Sequence, residues 1–388
     1  MSRALPLLLA LGACHDFDAA YEERVAMLRD SGAAGGAAGG VAGGAAGGAA
    51  GGTAGGTAGG VAGGTAGGAA GGAAGGAAGG FVDAGCQQPF CLLDRLFVPS
   101  GFMNDTVDCQ APVFTDLAHL RVYCWRDRMA AVTVRDGGLV AAMTGFVNSW
   151  PTADGRADEH WLTDNTTFYR VLGTQATPLP ATCGASAFTV LSMYSPAPGE
   201  LWAGGLSGSV CHFLADGGAE LYLLPSVTTG ISAVFALDAG VWVGGNNSNI
   251  YRLDGTFEAT TPGSGEISSI HGLEPDLLYA TSRYGGVWQR NADGGWSEAF
   301  PFNMKLYFEV RVLGPDDVWA TGNQNALMRK TAAGWAPVDP NFDLGLGPNE
   351  FHVLGVRGND RELLLTGSTF NPATSSWDGT VVRMLRGP

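Results

Sequence analysis

The chain has 388 residues, 62 of them glycine, and its 21 basic side chains face 36 acidic ones for a formal net charge of −15 at pH 7. A surface this acidic repels phosphate backbones, which excludes nucleic acid as the main partner. After residue 80 no apolar run approaches the roughly 20 residues that a membrane-spanning helix needs.

The first fourteen residues, MSRALPLLLALGAC, place Arg3 before an apolar stretch from Ala4 to Leu11, followed by small residues and a cysteine. They resemble a bacterial lipoprotein signal peptide whose lipobox is Leu11-Gly12-Ala13-Cys14. The resemblance implies a signal peptide over 1–13, removed by cleavage, and lipid attachment at Cys14. The membrane is then a partner through that anchor. His15, where an Asp would retain the chain at the inner membrane, points to the outer membrane of the cell envelope. Residues 14–32 form a short mature segment in which Phe17, Tyr21, Val25 and Leu28 have helical spacing. A helix that short is not stable alone.

From Ala33 to Gly80 run twelve tetrads of the form Ala/Val/Thr-Ala-Gly-Gly, with no charge and nothing larger than valine. Such a segment cannot bury a core and reads as a disordered tether. As a Gly-rich coil its mean reach is roughly 35–42 Å, enough to lift a domain off a membrane.

The remaining residues, 81–388, are the part that folds. Six cysteines are left once Cys14 is set aside, an even number that suits an oxidising compartment. Six allow fifteen pairings; proximity favours Cys86 with Cys91, Cys109 with Cys124, and Cys183 with Cys211. Zinc-type spacings are absent. Residues 86–128 contain the strand-like LDRLFVPS and HLRVYCW. After Ala142-Met143-Thr144-Gly145 comes a long polar insertion with Asp158-Glu159-His160 at its centre. It reads as a solvated turn, with calcium in the 154–164 loop as the sharper alternative, held by Asp154, Asp158 and Asp164. No other cofactor is expected.

From residue 201 onward one unit recurs. Its landmark is Leu201-Trp202-Ala203-Gly204-Gly205, followed by Val241-Trp242-Val243-Gly244-Gly245, Leu278-Tyr279-Ala280-Thr281-Ser282, Val318-Trp319-Ala320-Thr321-Gly322 and Leu364-Leu365-Thr366-Gly367, at steps of 40, 37, 40 and 45 residues. Ala142 to Gly145 reads as an earlier copy. Alternating strands precede each landmark, and a polar loop, a second strand and an Asp-Gly or Ala-Gly turn follow it. Four short antiparallel strands cannot bury both faces alone, so copies must stack. The expected fold is all-β, a β-propeller of six or seven four-stranded blades, with residues 86–128 giving either a closing strand or a seventh blade. The Trp residues read as core between blades, and the glycines after them as turns out of the sheet. These residues resemble the BNR/YVTN-like and two-component-regulator-type propeller repeats. With the lipobox and tether, the whole resembles myxobacterial-type exported lipoproteins.

Catalytic signatures are lacking: there is no HExxH, no Walker loop and no complete GxSxG. The histidines are scattered singly. Arg252, Arg290, Arg329 and Arg383 follow an apolar or aromatic residue on the third strand, and Arg283 and Arg311 add to the set. Sialidase-like propellers hold a carboxylate with an Arg cluster, but an arginine repeated in every blade reads as an outer-edge residue. The loops between second and third strands carry Asn249, Arg283, Tyr284 and Asn325, amide and aromatic groups suited to a neutral glycan. The expected function is a non-enzymatic binding or scaffold platform at the cell envelope, with a cell-surface glycan or protein as partner. The alternatives are an exported polysaccharide hydrolase or lyase built on a propeller, and a purely structural surface protein.

Overall fold

The computed structural model describes residues 90–387 except 99–107, 115–119, 126–128, 136–137, 144–151, 157–158, 164–166, 174, 181, 184–185, 225–226, 228, 246–247, 254–255, 261–264, 285, 301–304 and 340–349. The signal peptide, Cys14, the segment 14–32, the tether and Cys86 lie outside the described residues, as do Asp158 and Asp164.

Short alternating segments bounded by Gly, Asp and Asn turns produce strands alone; no helix occurs among the described residues. The chain opens with β1 (Phe90–Val98). The first blade follows as β2 (Asp108–Phe114), β3 (Leu120–Trp125), β4 (Met129–Arg135) and β5 (Gly138–Met143). The second is β6 (Thr152–Arg156), β7 (Glu159–Thr163), β8 (Thr167–Leu172) and β9 (Gln175–Pro180). A two-stranded hairpin, β10 (Thr182–Cys183) and β11 (Ser186–Ala187), leads into the third, β12 (Val190–Tyr194), β13 (Leu201–Gly205), β14 (Ser209–Phe213) and β15 (Ala219–Leu223). The fourth is β16 (Ile231–Leu237), β17 (Gly240–Gly245), β18 (Asn249–Arg252) and β19 (Phe257–Thr260). The fifth is β20 (Ile267–Gly272), β21 (Leu278–Ser282), β22 (Gly286–Arg290) and β23 (Trp296–Phe300), and the sixth β24 (Tyr307–Gly314), β25 (Asp317–Gly322), β26 (Leu327–Thr331) and β27 (Gly334–Pro337). The seventh contributes β28 (Phe351–Gly358), β29 (Glu362–Asn371) and β30 (Ser376–Arg386).

That last blade is completed by β1, which pairs antiparallel with β30 from Phe90 opposite Arg386 to Val98 opposite Gly379. Each blade's first strand is innermost, and these strands neighbour one another in the order β2, β6, β12, β16, β20, β24, β28 and back to β2. The ring therefore closes at seven blades. Of the two alternatives for residues 86–128 the structure realises both, with β1 the closing strand and β2 and β3 the first two strands of a further blade.

Two expectations are corrected. Ala142 and Met143 end β5, the outermost strand of the first blade, so they are not a landmark. The true early copies are Tyr123 and Trp161 on the second strands β3 and β7, 38 residues apart and 41 ahead of Trp202. The polar insertion is likewise no solvated loop, because Thr152–Arg156 and Glu159–Thr163 are the two inner strands of the second blade. The landmark glycines also serve another end. A Cβ on Gly204 or Gly244 would overlap Ile231 or Ile267, the first residue of the next inner strand, so these positions let neighbouring blades approach. Where they do, Ser192, Ser232 and Ser268 donate across the seam to the carbonyls of Ile231, Ile267 and Tyr307 at 3.0, 2.9 and 2.9 Å.

The core lies between blades. Trp242 packs with Phe235 and Ile250 against Ile267, Ile270, Leu278 and Ala280 of the next blade. Trp319 packs likewise with Leu327 against Phe90, Val353 and Val356. Cys109 and Cys124, opposite one another on β2 and β3, are disulfide-bonded with Cα atoms 4.0 Å apart. Cys183 and Cys211 bond the β10–β11 hairpin to the third strand of its blade, at a Cα separation of 5.8 Å. Cys91 on β1 is disulfide-bonded as well.

Candidate functional site in the inner-strand ring

Register places one side chain of each inner strand opposite the landmark of the second strand. Asp154 stands opposite Trp161, Tyr194 opposite Trp202, Phe235 opposite Trp242, His271 opposite Tyr279, Arg311 opposite Trp319, and Arg357 opposite Leu364. The first blade's counterpart, Gln110 opposite Tyr123, belongs to the same level by register. Six blades thus bring aspartate, tyrosine, phenylalanine, histidine and two arginines to one ring around the axis, where Asp154, His271 and Tyr194 lie within electrostatic range of Arg311.

Neighbours in the ring touch. The rings of Tyr194 and Phe235 are 4.6 Å apart, and those of Phe235 and His271 5.0 Å apart, which makes a continuous aromatic wall over three blades. Asp154 accepts from the Ser195 backbone N–H at 2.6 Å, and the Nδ1 of His271 accepts from the Val312 N–H at 3.2 Å. Each of these two side chains therefore grips the backbone of the following blade. Glu309, two residues before Arg311 on β24, does the same: it accepts from the Val356 N–H at 3.0 Å and pairs with the Arg357 guanidinium.

Burial dominates the titration of this layer. Asp154, 9 % exposed, has its carboxyl pushed up by desolvation, against the pull of Arg311 and Arg357 and of its backbone hydrogen bonds. His271, 8 % exposed, is held well below its ordinary value by burial and then by the two guanidiniums. It is neutral, and because Nδ1 accepts from Val312, its proton sits on Nε2. Burial, followed by the charge of Arg357, lowers Arg311 to about 10, which leaves it cationic at neutral pH.

The four residues proposed from the sequence for glycan binding lie elsewhere. Asn325 has its Oδ1 accepting from the Phe351 N–H at 2.8 Å and its own N–H donating to the Phe351 carbonyl at 3.1 Å, so it clamps the sixth blade to the seventh. Arg283 pairs with Glu266 at 3.3 Å, and Asn249 donates to the Tyr251 hydroxyl at 2.9 Å. Tyr284 is exposed. Asn325 reaches the start of the next inner strand, and Arg283 and Tyr284 the start of their own blade's inner strand, whereas the ring residues lie at or past the middle of those strands.

The third-strand arginines form a second pattern. Arg329 lies over the Trp319 ring at 5.3 Å and pairs with Asp317 at 2.8 Å; Arg290 lies over Trp242 at 5.7 Å and pairs with Glu258 at 3.0 Å. Arg252 lies over Trp242 from its own blade at 5.6 Å. Arg383, 3 % exposed, grips Asp94 of β1 through two bonds of 2.6 Å. Arg170 and Glu159 repeat the arrangement around Trp161 at 2.7 Å. In the third blade His212 stacks on Trp202 at 3.7 Å and meets Glu200 at 2.8 Å.

Of the three aspartates considered for calcium, Asp154 is in the ring and Asp158 and Asp164 lie outside the described residues; Glu159, in the same segment, is locked to Arg170 and to the Gly199 N–H at 2.9 Å. His160 is buried, its Nε2 2.6 Å from the Tyr123 hydroxyl, and burial followed by the charge of Arg121 pushes it down to about 3. Among the described residues no three His, Cys, Asp or Glu side chains are grouped as a metal site.

No family model matches the chain, and no curated protein does. Solved structures do. The propeller YCF48 bound to D1 peptide is similar at 13% identity and a TM-score of 0.53, over 78% of this chain and 96% of that one. A catalytically inactive virginiamycin B lyase from Staphylococcus aureus with quinupristin is similar at 15% identity and 0.56, over 76% and 99%. The WD40 propeller domain of Doa1 is similar at 10% and 0.51, over 74% and 97%. At these identities the likeness concerns the fold alone, which is a seven-bladed β-propeller.

Proposed function

We propose that this protein is an exported lipoprotein, anchored through Cys14 and held off the outer membrane on its Ala/Gly tether, whose propeller binds a partner without catalysing a reaction. The observation that carries the binding reading is the ring: six blades converge charged groups on one side and aromatic ones on the other at one level around the axis. A catalytic reading needs an acid and a base poised near neutral pH. His271 is held far below that range, and both His271 and Asp154 are already committed to backbone N–H groups. The disulfides accord with an oxidising compartment. The partner is a protein segment, in preference to a glycan, because Asn249, Arg283 and Asn325 spend their polar groups on contacts within the propeller. Two of the similar propellers are described with a ligand, one of them a peptide.

Cell fractionation tests the anchor. The full chain should sediment with membranes and Cys14→Ser should be released or stay unprocessed; full chain in the cytoplasm with Met1 intact overturns it. Binding is tested by retention of the purified full chain on envelope proteins, which Tyr194→Ala should abolish. Unchanged retention of that folded variant removes the ring as the site.

A further inference from the structure

We infer that the ring recognises a carboxylate, held by Arg311 together with the Nε2–H of His271, on a ligand that lays an apolar or aromatic part against Tyr194. The inference rests on the binding reading above and names the ligand's chemistry.

It starts from a contrast among the arginines. A guanidinium taken out of water needs a carboxylate or carbonyl to replace its hydration. Arg290, Arg329, Arg357 and Arg383 each have one, from Glu258, Asp317, Glu309 and Asp94. Arg311 has none: among the described residues no group hydrogen-bonds to it or forms an ion pair with it, and its interactions with Glu309, Asp154 and Tyr194 are electrostatic ones at longer range. The near carboxylate, Glu309 on the same strand, is spent on Arg357 and the Val356 N–H. Asp154 accepts from Ser195 across the ring.

A second donor stands beside it on the neighbouring blade. His271 accepts at Nδ1 and so carries its proton on Nε2, for which the described residues supply no acceptor. Neither Nε2 nor the Arg311 nitrogens are among the side-chain atoms sealed from solvent without a partner, so both can be reached by a ligand. A planar guanidinium fork beside a neutral N–H matches the two oxygens of a carboxylate. The oxyanion is a monoanion because Asp154 and Glu309 share the level and would repel a phosphate dianion. Tyr194 and His271 pack on the same buried ring, that of Phe235, at 4.6 and 5.0 Å, which puts the apolar part of the ligand near its charge.

The test is calorimetric and NMR titration of the full chain with N-acetylphenylalanine, its amide, and inorganic phosphate. The acid should bind one to one, at least about tenfold more tightly than the amide or phosphate. Arg311→Met should weaken the acid by at least about tenfold without lowering the melting temperature, because the half-buried guanidinium has no carboxylate of its own to lose. His271→Phe should lose affinity for the acid and keep the fold. No binding of the acid, equal binding of acid and amide, tighter binding of phosphate, or an Arg311→Met variant that melts lower with its affinity intact would each overturn the carboxylate. If those fail while Tyr194→Ala still abolishes retention on envelope proteins, the ring remains a binding site and only its ligand chemistry is wrong.

Discussion

The propeller carries two sets of buried or half-buried arginines that differ in what completes them. On the third strands, Arg329 and Arg383 recur at equivalent positions, opposite Trp319 and Leu364, and each is closed by a carboxylate. In the inner ring, Arg311 has no such partner, and its counterparts in other blades are Phe235, Tyr194 and Asp154. A residue that returns in blade after blade serves what every blade needs, which is docking to the next. A position that keeps its place but changes its chemistry from blade to blade serves something the repeat does not need.

The largest effect separating the two sets is expected at the closing strand. Asp94→Ala leaves Arg383 buried without its carboxylate and should cost about 3–5 kcal/mol in denaturant unfolding. A cost within about 0.5 kcal/mol would erase the distinction between completed and incomplete arginines.

Acid should act on the seam between the first and second blades. His160 has a folded pKa of about 3, below its unfolded value, so its contribution is present above about pH 6.5 and is lost as pH falls toward 3. The unfolded chain binds the extra proton in that window, so stability rises with pH by up to about 1.4 kcal/mol per unit. His160→Phe should flatten the slope between pH 6.5 and 3; an unchanged slope would assign it to other groups.

The smallest effects sharpen the contrast between rim and ring. Asn325→Ala removes an acceptor for the Phe351 N–H and should cost about 1–2 kcal/mol, whereas Tyr284→Ala, 38 % exposed, should stay within about 0.5 kcal/mol. Equal effects would mean that the loop does not clamp the seam.

The repeat was legible from residue 201 onward because Trp202, Trp242, Tyr279 and Trp319 fill the same interblade space, and a shared space selects a shared residue type. The first two blades were misread. Their landmarks, Tyr123 and Trp161, lie within polar or cysteine-bearing segments, and Ala142-Met143 imitates the pattern on an outer strand. The ring was harder to see. Its members stand seven or eight residues before each landmark, across a hairpin whose length varies from blade to blade, and no one residue type recurs through the ring. Asp154 had drawn notice only as an oxygen donor in a loop that is in fact a strand, and Arg311 only as one of a set of recurrent arginines.

The sequence by itself determined the strands, their turns and the need to stack, since alternating apolar residues and a recurrent aromatic state which faces must be covered. The number of blades, the closing role of Phe90–Val98 and the meeting of Asp154, Tyr194, Phe235, His271, Arg311 and Arg357 were decided only by the closed ring. Closure brings residues some two hundred positions apart to one axis, and the fate of a buried charge depends on which partners that axis supplies.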